Sequence, residues 1–199
     1  MLPVTSNDFK VNELVSRAKQ NDLEAFEELV VLYQDKLFGQ CYQLTRNYDD
    51  AQDLAQEVFV RAYRRLDSFR QRADLGTWLY RIAVNTFLNS RRREPDVPPI
   101  SLDATIDTDD GEMMRQVAAT TENPLEELEQ RELRALLDTG LEKLSPEFRA
   151  VLVLREFEEY TYDEIAETLD CSLGTVKSRL NRARRALKEE LVGLLGAGE

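Results

Sequence analysis

The sequence predicts an all-α protein of two small helical domains joined by a flexible acidic linker, the second ending in a helix-turn-helix. Three observations lead to this fold class. Apolar residues recur at three- and four-residue steps, no stretch alternates convincingly as a strand does, and an acidic stretch containing several prolines interrupts the pattern. We place the first domain at residues 1–95, the linker at 96–122 and the second domain at 123–199.

The charge is unevenly distributed, and this bears on possible partners. The formal net charge is −12, although residues 1–95 are balanced, with 14 basic and 14 acidic side chains. The acidity lies in the linker and in the first part of the second domain, whereas Gly174–Lys188 holds six basic residues and no acidic one. Local charge pattern outranks the total in predicting contacts, so the acidic composition does not exclude nucleic-acid binding.

The residues present argue against an enzyme. The chain has no histidine, which removes the commonest general base and nearly all histidine metal sites. Cys41 and Cys171 are far apart, and we interpret each as a buried, reduced thiol rather than as a redox or metal-binding group. We therefore expect no catalytic residues, metal, cofactor or small-molecule substrate. No apolar run has the length of a signal peptide core or a membrane span, so a cytoplasmic protein without membrane insertion is expected.

Four helices are predicted in the first domain, at Asn12–Gln20, Leu23–Leu44, Tyr48–Leu66 and Gly76–Arg93. The third carries a line of polar residues about 100° from its apolar side. The line holds Asp50, Asp53, Glu57, Arg61 and Arg64, with Gln52 and Gln56 nearby. We use the name polar stripe for five of these residues, Asp50, Asp53, Gln56, Glu57 and Arg61. The stripe is either a solvated face supported by pairs such as Glu57–Arg61, or a docking face for a protein. Residue chemistry alone favours the solvated face.

The fourth helix carries an aromatic residue followed by amides and bases, on the side away from its apolar residues. We call this side the amide-arginine face; it holds Trp78, Arg81, Asn85, Asn89 and Arg92. Such side chains suit unstacked bases, which stack on aromatic rings and offer free edges for hydrogen bonds. The alternative is that Trp78 belongs to the core and the arginines cover the surface.

The stretch from Thr161 to Lys188 predicts two helices with a tight turn between them. Thr161 and Glu164 form a capping box for the first helix, and Ser172 caps the second. Opposite the apolar stripe of the second helix lies what we call the recognition face, which would contact bases; it comprises Ser178, Asn181, Arg182 and Arg185. Flanking positions suited to phosphates are Lys177, Arg179 and Arg184. The alternative is an ordinary amphipathic helix with a solvated basic face.

Three long runs resemble a known family. They span Asp50–Arg70, Thr77–Arg93 and Leu144–Leu187, and the similarity extends over about residues 22–95 and 123–192. In their order and spacing they are similar to bacterial RNA polymerase sigma factors of the extracytoplasmic-function class. Several long motifs in one order are more specific than a lone helix-turn-helix.

The resemblance implies a role for each of these surfaces. The polar stripe would bind the clamp helices of the polymerase β′ subunit, with further contacts to the β subunit, which reverses the preference for a solvated face. The −10 promoter element would be melted and read by Phe69, Arg70, Trp78, Arg81, Asn85, Asn89 and Arg92. The −35 element would be contacted by Ser172, Gly174, Thr175, Lys177, Ser178, Arg179, Asn181, Arg182, Arg184 and Arg185. The resemblance also implies control by an anti-sigma factor.

Two other hypotheses remain open at this point. A two-domain helix-turn-helix transcriptional regulator of the response-regulator type would need a receiver domain with β-strands, which residues 1–95 do not predict. A helical adaptor without a DNA role is disfavoured by the basic residues of Gly174–Lys188.

Overall fold

The computed structural model describes residues 6–70, 74–93 and 124–196, of which 6–8, 92–93 and 124–129 are described by their backbone alone. All regular structure in these ranges is helical. The helices are α1 (Ser6–Ala18), α2 (Leu23–Thr45), α3 (Tyr48–Arg65), α4 (Leu75–Arg93), α5 (Pro124–Glu142), α6 (Pro146–Leu152), α7 (Tyr162–Thr168) and α8 (Leu173–Gly196). A 3-10 turn, Leu66–Ser68, follows α3, and a π-helical turn, Val153–Phe157, continues α6.

These helices confirm the predicted all-α class, and most boundaries agree with the apolar periodicity. The clearest difference is α1, which begins at Ser6 rather than Asn12. Caps explain several of the boundaries. Asp22 accepts a hydrogen bond from the Ala25 amide to start α2, and Asn47 accepts one from the Asp50 amide to start α3. The predicted linker, residues 96–122, lies outside the described residues.

The N-terminal half packs α2, α3 and α4 around a shared core, with α1 against α2. Apolar residues from each helix are fully buried, among them Leu44, Val58 and Phe87. Cys41 is also buried, and burial raises the pKa of its thiol to about 12, which keeps the thiol protonated and unreactive. This half therefore offers α3 and α4 as rigid supports for exposed polar side chains.

The C-terminal half arranges α5, α6 and α7 around α8. Gly140 lets α5 approach α8 closely, because a Cβ there would lie only 3.0 Å from Leu191 and 3.1 Å from Leu187. The extra residue of the π-helical turn lies just before the helix-turn-helix, and such turns commonly occur at functional sites. None of the helices in the described ranges is long and apolar enough to cross a membrane.

The two halves pack on each other through a buried arginine. Arg149 of α6 is 7% exposed and donates to the carbonyls of Leu44 and Thr45 at 3.0 and 3.1 Å, at the end of α2. Its other terminal nitrogen donates to the carbonyls of Glu142 and Leu144, just past α5. Helix C-termini carry unpaired carbonyls and partial negative charge, so the single guanidinium of Arg149 supplies donors to the C-terminal ends of both α2 and α5. Burial lowers the pKa of Arg149 to about 10, which leaves it charged at neutral pH.

Polar pairs surround this contact. Arg46, in the left-handed conformation that ends α2, forms an ion pair with Asp138 of α5 and lies 5.5 Å from the ring centre of Phe157. Gln40 donates to Glu158 at 2.7 Å. Tyr80 of α4 packs edge-on against Tyr160, with ring centres 6.1 Å apart. The interface thus joins α2 and α4 of the N-terminal half to α5, α6 and the segment before α7 of the C-terminal half.

Candidate nucleic-acid interfaces

The turn before α8 is built by local hydrogen bonds. Thr161 and Glu164 form the predicted capping box of α7. Asp170 ends the following turn in the left-handed region, at φ 48°, a conformation that aspartate tolerates better than most residues. The Ser172 hydroxyl then accepts from the Thr175 amide at 3.1 Å, which confirms it as the cap of α8. Gly174 is exposed at the same end of the helix.

Helix α8 separates an apolar side from a basic side. Val176, Leu180 and Ala183 are buried against the rest of the C-terminal half, as their spacing predicts. All four residues of the recognition face are exposed. None of these four side chains has a hydrogen-bond or ion-pair partner among the residues the structure describes. Helix α8 therefore presents two arginines, an asparagine and a serine that are free to contact base edges.

One of the flanking positions is not free. Arg184 donates to a single oxygen of Glu156 through Nε at 3.2 Å and a terminal nitrogen at 2.7 Å. Lys177 is exposed and Arg179 is half-buried. A phosphate at Arg184 must therefore displace a carboxylate from the π-helical turn, whereas at Lys177 it has no such competitor within the described chain.

The amide-arginine face of α4 is partly engaged by the other half of the molecule. Arg81 forms an ion pair with Glu167 of α7 at 2.6 Å and also donates to the Glu167 carbonyl at 2.8 Å. Asn85 is exposed, and its amide donates to the Arg81 carbonyl at 2.9 Å. Asn89 is exposed, whereas the side chain of Arg92 lies outside the described residues.

The two aromatic residues of this region, Phe69 and Trp78, do not form a fully exposed surface on which a base could stack. Phe69 is 3% exposed and packs against Trp78 with ring centres 5.2 Å apart, so its ring supports Trp78 rather than being offered to a base. Trp78 is half-buried, which places it between the two predicted alternatives. Arg70 is exposed.

A polar groove lies between the C-terminal half of α3 and the middle of α4. We call it the α3–α4 groove; its volume is about 230 Å³. The structure brings together four members of the amide-arginine face with one member of the polar stripe. The groove is lined by Arg61, Arg65, Ser68, Trp78, Arg81, Ile82, Asn85, Thr86 and Asn89.

The polar stripe is exposed along α3 except at Arg61, which is half-buried, and its members are not uniformly free. Asp50 pairs with Arg91 at 2.6 Å, and Glu57 accepts two bonds from Arg61 at 2.9 and 2.6 Å, the predicted i,i+4 pair. Asp53 and Gln56 are exposed, with no hydrogen-bond or ion-pair partner in the described part of the chain. Asp53 is therefore the carboxylate of the stripe that a basic partner can bind without displacing another cation of the described chain.

Some residues of these interfaces were not expected from the sequence. Arg65, which lines the groove, follows Arg61 by four residues, and that spacing could have placed it on the same side of the helix. Glu167 and Arg149 make contacts with residues 86 and 105 positions away, for which the local pattern gives no signal.

The two halves match two family models, each described for sigma-70 proteins. Residues 29–95 match sigma-70 region 2, and residues 134–187 match sigma-70 region 4. The first range contains α3, α4 and the groove between them. The second contains the helix-turn-helix and α8 as far as Leu187.

Curated relatives are similar over nearly the whole chain. The RNA polymerase sigma-H factor of Pseudomonas aeruginosa is 37% identical over 185 residues, covering 92% of this chain and 94% of the relative. The ECF RNA polymerase sigma factor SigW of Bacillus subtilis is 35% identical, with 92% and 98% covered. The ECF RNA polymerase sigma-E factor of Escherichia coli K12 is 38% identical, with 92% and 94% covered.

Solved structures share the fold. The sigma factor RpoE of Bartonella quintana, crystallised with the anti-sigma factor NepR, superposes with a TM-score of 0.56 at 23% identity, covering 83% of this chain and 96% of that chain. CnrH, in complex with the cytosolic domain of CnrY, gives a TM-score of 0.55 at 23% identity, covering 96% and 99%.

With two sigma-70 regions and these relatives, the molecule is a transcription initiation factor that associates with RNA polymerase. The chain belongs to the ECF class of RNA polymerase sigma factors, within the sigma-70 family.

Proposed function

We propose that this sigma factor divides the promoter between its two halves, with α8 reading duplex −35 DNA and α4 holding the melted −10 strand. The observation that carries this division is the contrast in chemistry between the helices. Helix α8 offers an open, basic, hydrogen-bonding side suited to a major groove. Helix α4 offers a half-buried tryptophan, two exposed amides and an arginine around a small groove, which suits a separated strand.

We assign the −35 contacts to the recognition face and to the residues that flank it. The base contacts come from Arg182 and Arg185, which can bridge two guanine acceptors, and from Asn181, which can pair with adenine. The capping end of α8, with Ser172, Gly174 and Thr175, lies where backbone amides meet a phosphate. In this proposal residues 1–95 form the unit that holds the −10 strand, 96–122 the linker, and 123–199 the unit that reads −35 DNA.

The polar stripe is proposed as the docking surface for the β′ clamp helices, with the β subunit contacting other parts of the chain. Asp53 supports this role because it is an exposed carboxylate without a described partner on a rigid helix. Its neighbours Asp50 and Glu57 are already paired with Arg91 and Arg61, so they would exchange one cationic partner for another.

An anti-sigma factor is a further proposed partner, since both superposed relatives were crystallised with other proteins, and RpoE with one named an anti-sigma factor. We also propose that the protein acts in the cytoplasm, where promoter DNA and polymerase are found, and that it performs no catalysis itself. The runner-up, a regulator of the response-regulator type, is disfavoured because residues 6–70 and 74–93 are helical where a receiver domain needs strands.

The function is tested by capture of core RNA polymerase followed by run-off transcription, using the wild-type chain, Asp53→Lys and Asp35→Lys. Asp35 is an exposed mid-helix carboxylate of α2, outside the polar stripe, and gives the same charge change. We expect Asp53→Lys alone to lose polymerase capture, with thermal unfolding unchanged because both positions are exposed. Equal capture by all three proteins would remove the polar stripe as the docking surface, and absence of promoter-specific transcripts with the wild type would refute the sigma function.

A further inference from the structure

Lys19, directly after α1, joins the N-terminal helix to the turn that follows α3. Its ammonium donates to the Phe69 carbonyl at 2.6 Å and lies 6.0 Å from the centre of the Phe69 ring, although the two residues are 50 positions apart. A hydrogen bond from a charged donor is roughly twice as strong as a neutral one, and the half-buried position of Lys19 limits competition from water. This contact therefore fixes the end of the 3-10 turn against α1.

The backbone that carries Lys19 is held in place by the tight turn between α1 and α2. Asn21 has φ 64°, a left-handed conformation that asparagine adopts more readily than most residues. The Asp22 carboxylate accepts from Arg17 Nε at 2.8 Å and from the Ala25 amide at 3.1 Å, so it binds both helices. The lysine side chain therefore starts from a fixed point, and its contact restrains Phe69 rather than following it.

Phe69 transmits this restraint to the amide-arginine face of α4. Its amide donates to the Leu66 carbonyl at 3.0 Å, its carbonyl accepts from Lys19, and its buried ring lies 5.2 Å from the ring of Trp78, measured between centres. A rotation of the Phe69 peptide would move the ring behind Trp78 and would also redirect Arg70, the next residue. Lys19 opposes this rotation from the carbonyl side.

We propose that Lys19 is a positioning residue for reading of the −10 element, because it holds Phe69 behind Trp78. Its ammonium acts on the Phe69 carbonyl and not on DNA. This role rests on the proposed −10 function of α4 and extends that function to α1. Sequence spacing gives no indication of it, since a lysine after a helix is ordinarily explained by the carbonyls of its own helix end.

Four variants separate positioning from a role in stability alone. Lys19→Met keeps the apolar stem and removes the donor, whereas Lys19→Arg keeps a charged donor. Lys10→Met makes the same charge change at an exposed position of α1. Val11→Ala removes part of a buried α1 side chain, which lowers stability without changing the charge. Thermal melting ranks the stability of the four proteins.

Trp78 reports on its own packing, because it is the single tryptophan of the chain. Acrylamide quenching of its emission is measured on each free, full-length protein well below the melting temperature. We expect Lys19→Met alone to raise the quenching constant, because loss of the restraint on Phe69 loosens the contact behind Trp78. Lys19→Arg, Lys10→Met and Val11→Ala should match the wild type, although Val11→Ala melts at a lower temperature.

Promoter opening by the reconstituted holoenzyme supplies the functional measurement. Permanganate reactivity of −10 thymines should show an open-complex equilibrium about tenfold lower for Lys19→Met, the size expected for a hydrogen bond to a charged group. Lys19→Arg should restore opening, and Lys10→Met and Val11→Ala should open the promoter as the wild type does. The salt slope of holoenzyme binding should stay unchanged in Lys19→Met, because this lysine neutralises no phosphate.

Unchanged Trp78 quenching in Lys19→Met would overturn the proposal, as would a failure of Lys19→Arg to restore opening. An opening defect of equal size in Val11→Ala would assign the effect to stability and reject a positioning role. A salt slope lower by about 0.7–0.9 in Lys19→Met would make Lys19 a phosphate ligand and would equally reject it.

Failure of the positioning role is distinguishable from failure of the −10 function. If Asn85→Ala impairs opening and Lys19→Met does not, only the role of Lys19 is lost. If the wild-type holoenzyme does not open the promoter, the −10 function itself is lost.

Discussion

Helices α8 and α4 both carry arginines and asparagines that we propose contact DNA, but these side chains differ in whether the folded chain already binds them. Arg182 and Arg185 of α8 are exposed, with no ion-pair partner among the described residues. Arg81 of α4 is bound by the side chain and the carbonyl of Glu167, from the helix-turn-helix of the other half. The proposed duplex-reading surface of α8 is therefore unoccupied by described residues, whereas the proposed strand-binding surface of α4 is partly occupied by the chain itself.

The packing of the two halves therefore engages the amide-arginine face of α4 and leaves the recognition face of α8 unengaged. Arg149 and Arg46 hold the ends of α2 and α5 together, and that contact brings α7 beside α4. The recognition face points away from this interface and stays open. Four predictions test the comparison.

Replacing Arg149 should have the largest effect, because it removes a buried donor that links the two halves and makes four hydrogen bonds. Arg149→Met leaves four carbonyls without their donor, and each unsatisfied buried group costs about 1–3 kcal/mol. We expect the free energy of unfolding, measured by urea denaturation, to fall by more than the cost of one such group. Arg134→Met, at an exposed position of α5, should stay within about 0.5 kcal/mol of the wild type. Similar values for both variants would mean that Arg149 does not hold the interface.

Removing the proposed base-reading amide of Asn85 should impair −10 melting and leave −35 binding unchanged. Asn85→Ala should reduce open-complex formation, because base-edge contacts of this kind are worth about 1–3 kcal/mol. Permanganate footprinting of the holoenzyme on promoter DNA would show the loss as weaker thymine reactivity, while binding to −35 duplex is unchanged. Equal thymine reactivity with mutant and wild type would exclude Asn85 as a base reader.

Releasing Arg81 from Glu167 should make α4 more like α8, because its arginine would then be free to bind DNA. Glu167→Gln removes an ion pair whose carboxylate is 71% exposed, so we expect only the 0.2–1 kcal/mol typical of exposed pairs, about a fivefold gain at most in single-strand affinity. Asp163→Asn, an exposed carboxylate on the same helix, controls for the change in net charge. The gain should be absent for −35 duplex; a gain of equal size on both DNAs would point to net charge rather than to Arg81.

The smallest effect concerns a flanking phosphate contact of α8. Arg184→Ala should lower the salt slope of −35 duplex binding by about 0.9 and leave the sequence preference unchanged. Because Arg184 is paired with Glu156, Glu156→Gln should not reduce that slope. Fluorescence titrations of a promoter duplex across a salt series measure both variants, and a changed sequence preference in Arg184→Ala would assign this residue to bases.

Local features of the chain were predictable from the sequence. The cap at Ser172, the capping box at Thr161 and the buried stripe of α8 depend on residues three or four positions apart, and the structure confirms all three. These are interactions within one helix, where spacing alone decides which side chains meet. Of the two cysteines predicted to be buried, Cys41 is buried and Cys171 is only partly buried.

Contacts between distant segments could not be predicted in this way. Arg149 lies near the start of α6, and its sequence context is that of an ordinary surface residue until the end of α2 is placed beside it. Phe69 was expected at a DNA-reading position, but its ring fills the space behind Trp78. The partners of Arg81 and Arg184, Glu167 and Glu156, are likewise set by tertiary packing. The sequence therefore predicted which residues could bind DNA, but not whether their side chains are exposed and unpaired in the folded protein.

The packing of the halves through Arg149 sets the fraction of molecules in which the halves are separated. A partner that binds only separated halves has an apparent dissociation constant equal to its intrinsic value divided by the separated fraction. Each 1.4 kcal/mol of packing free energy weakens such binding tenfold, whereas a −35 duplex, which needs only the recognition face, is unaffected. A polymerase that pulls the halves apart bears this cost once, on assembly, and thereafter both DNA surfaces are available on one tethered molecule.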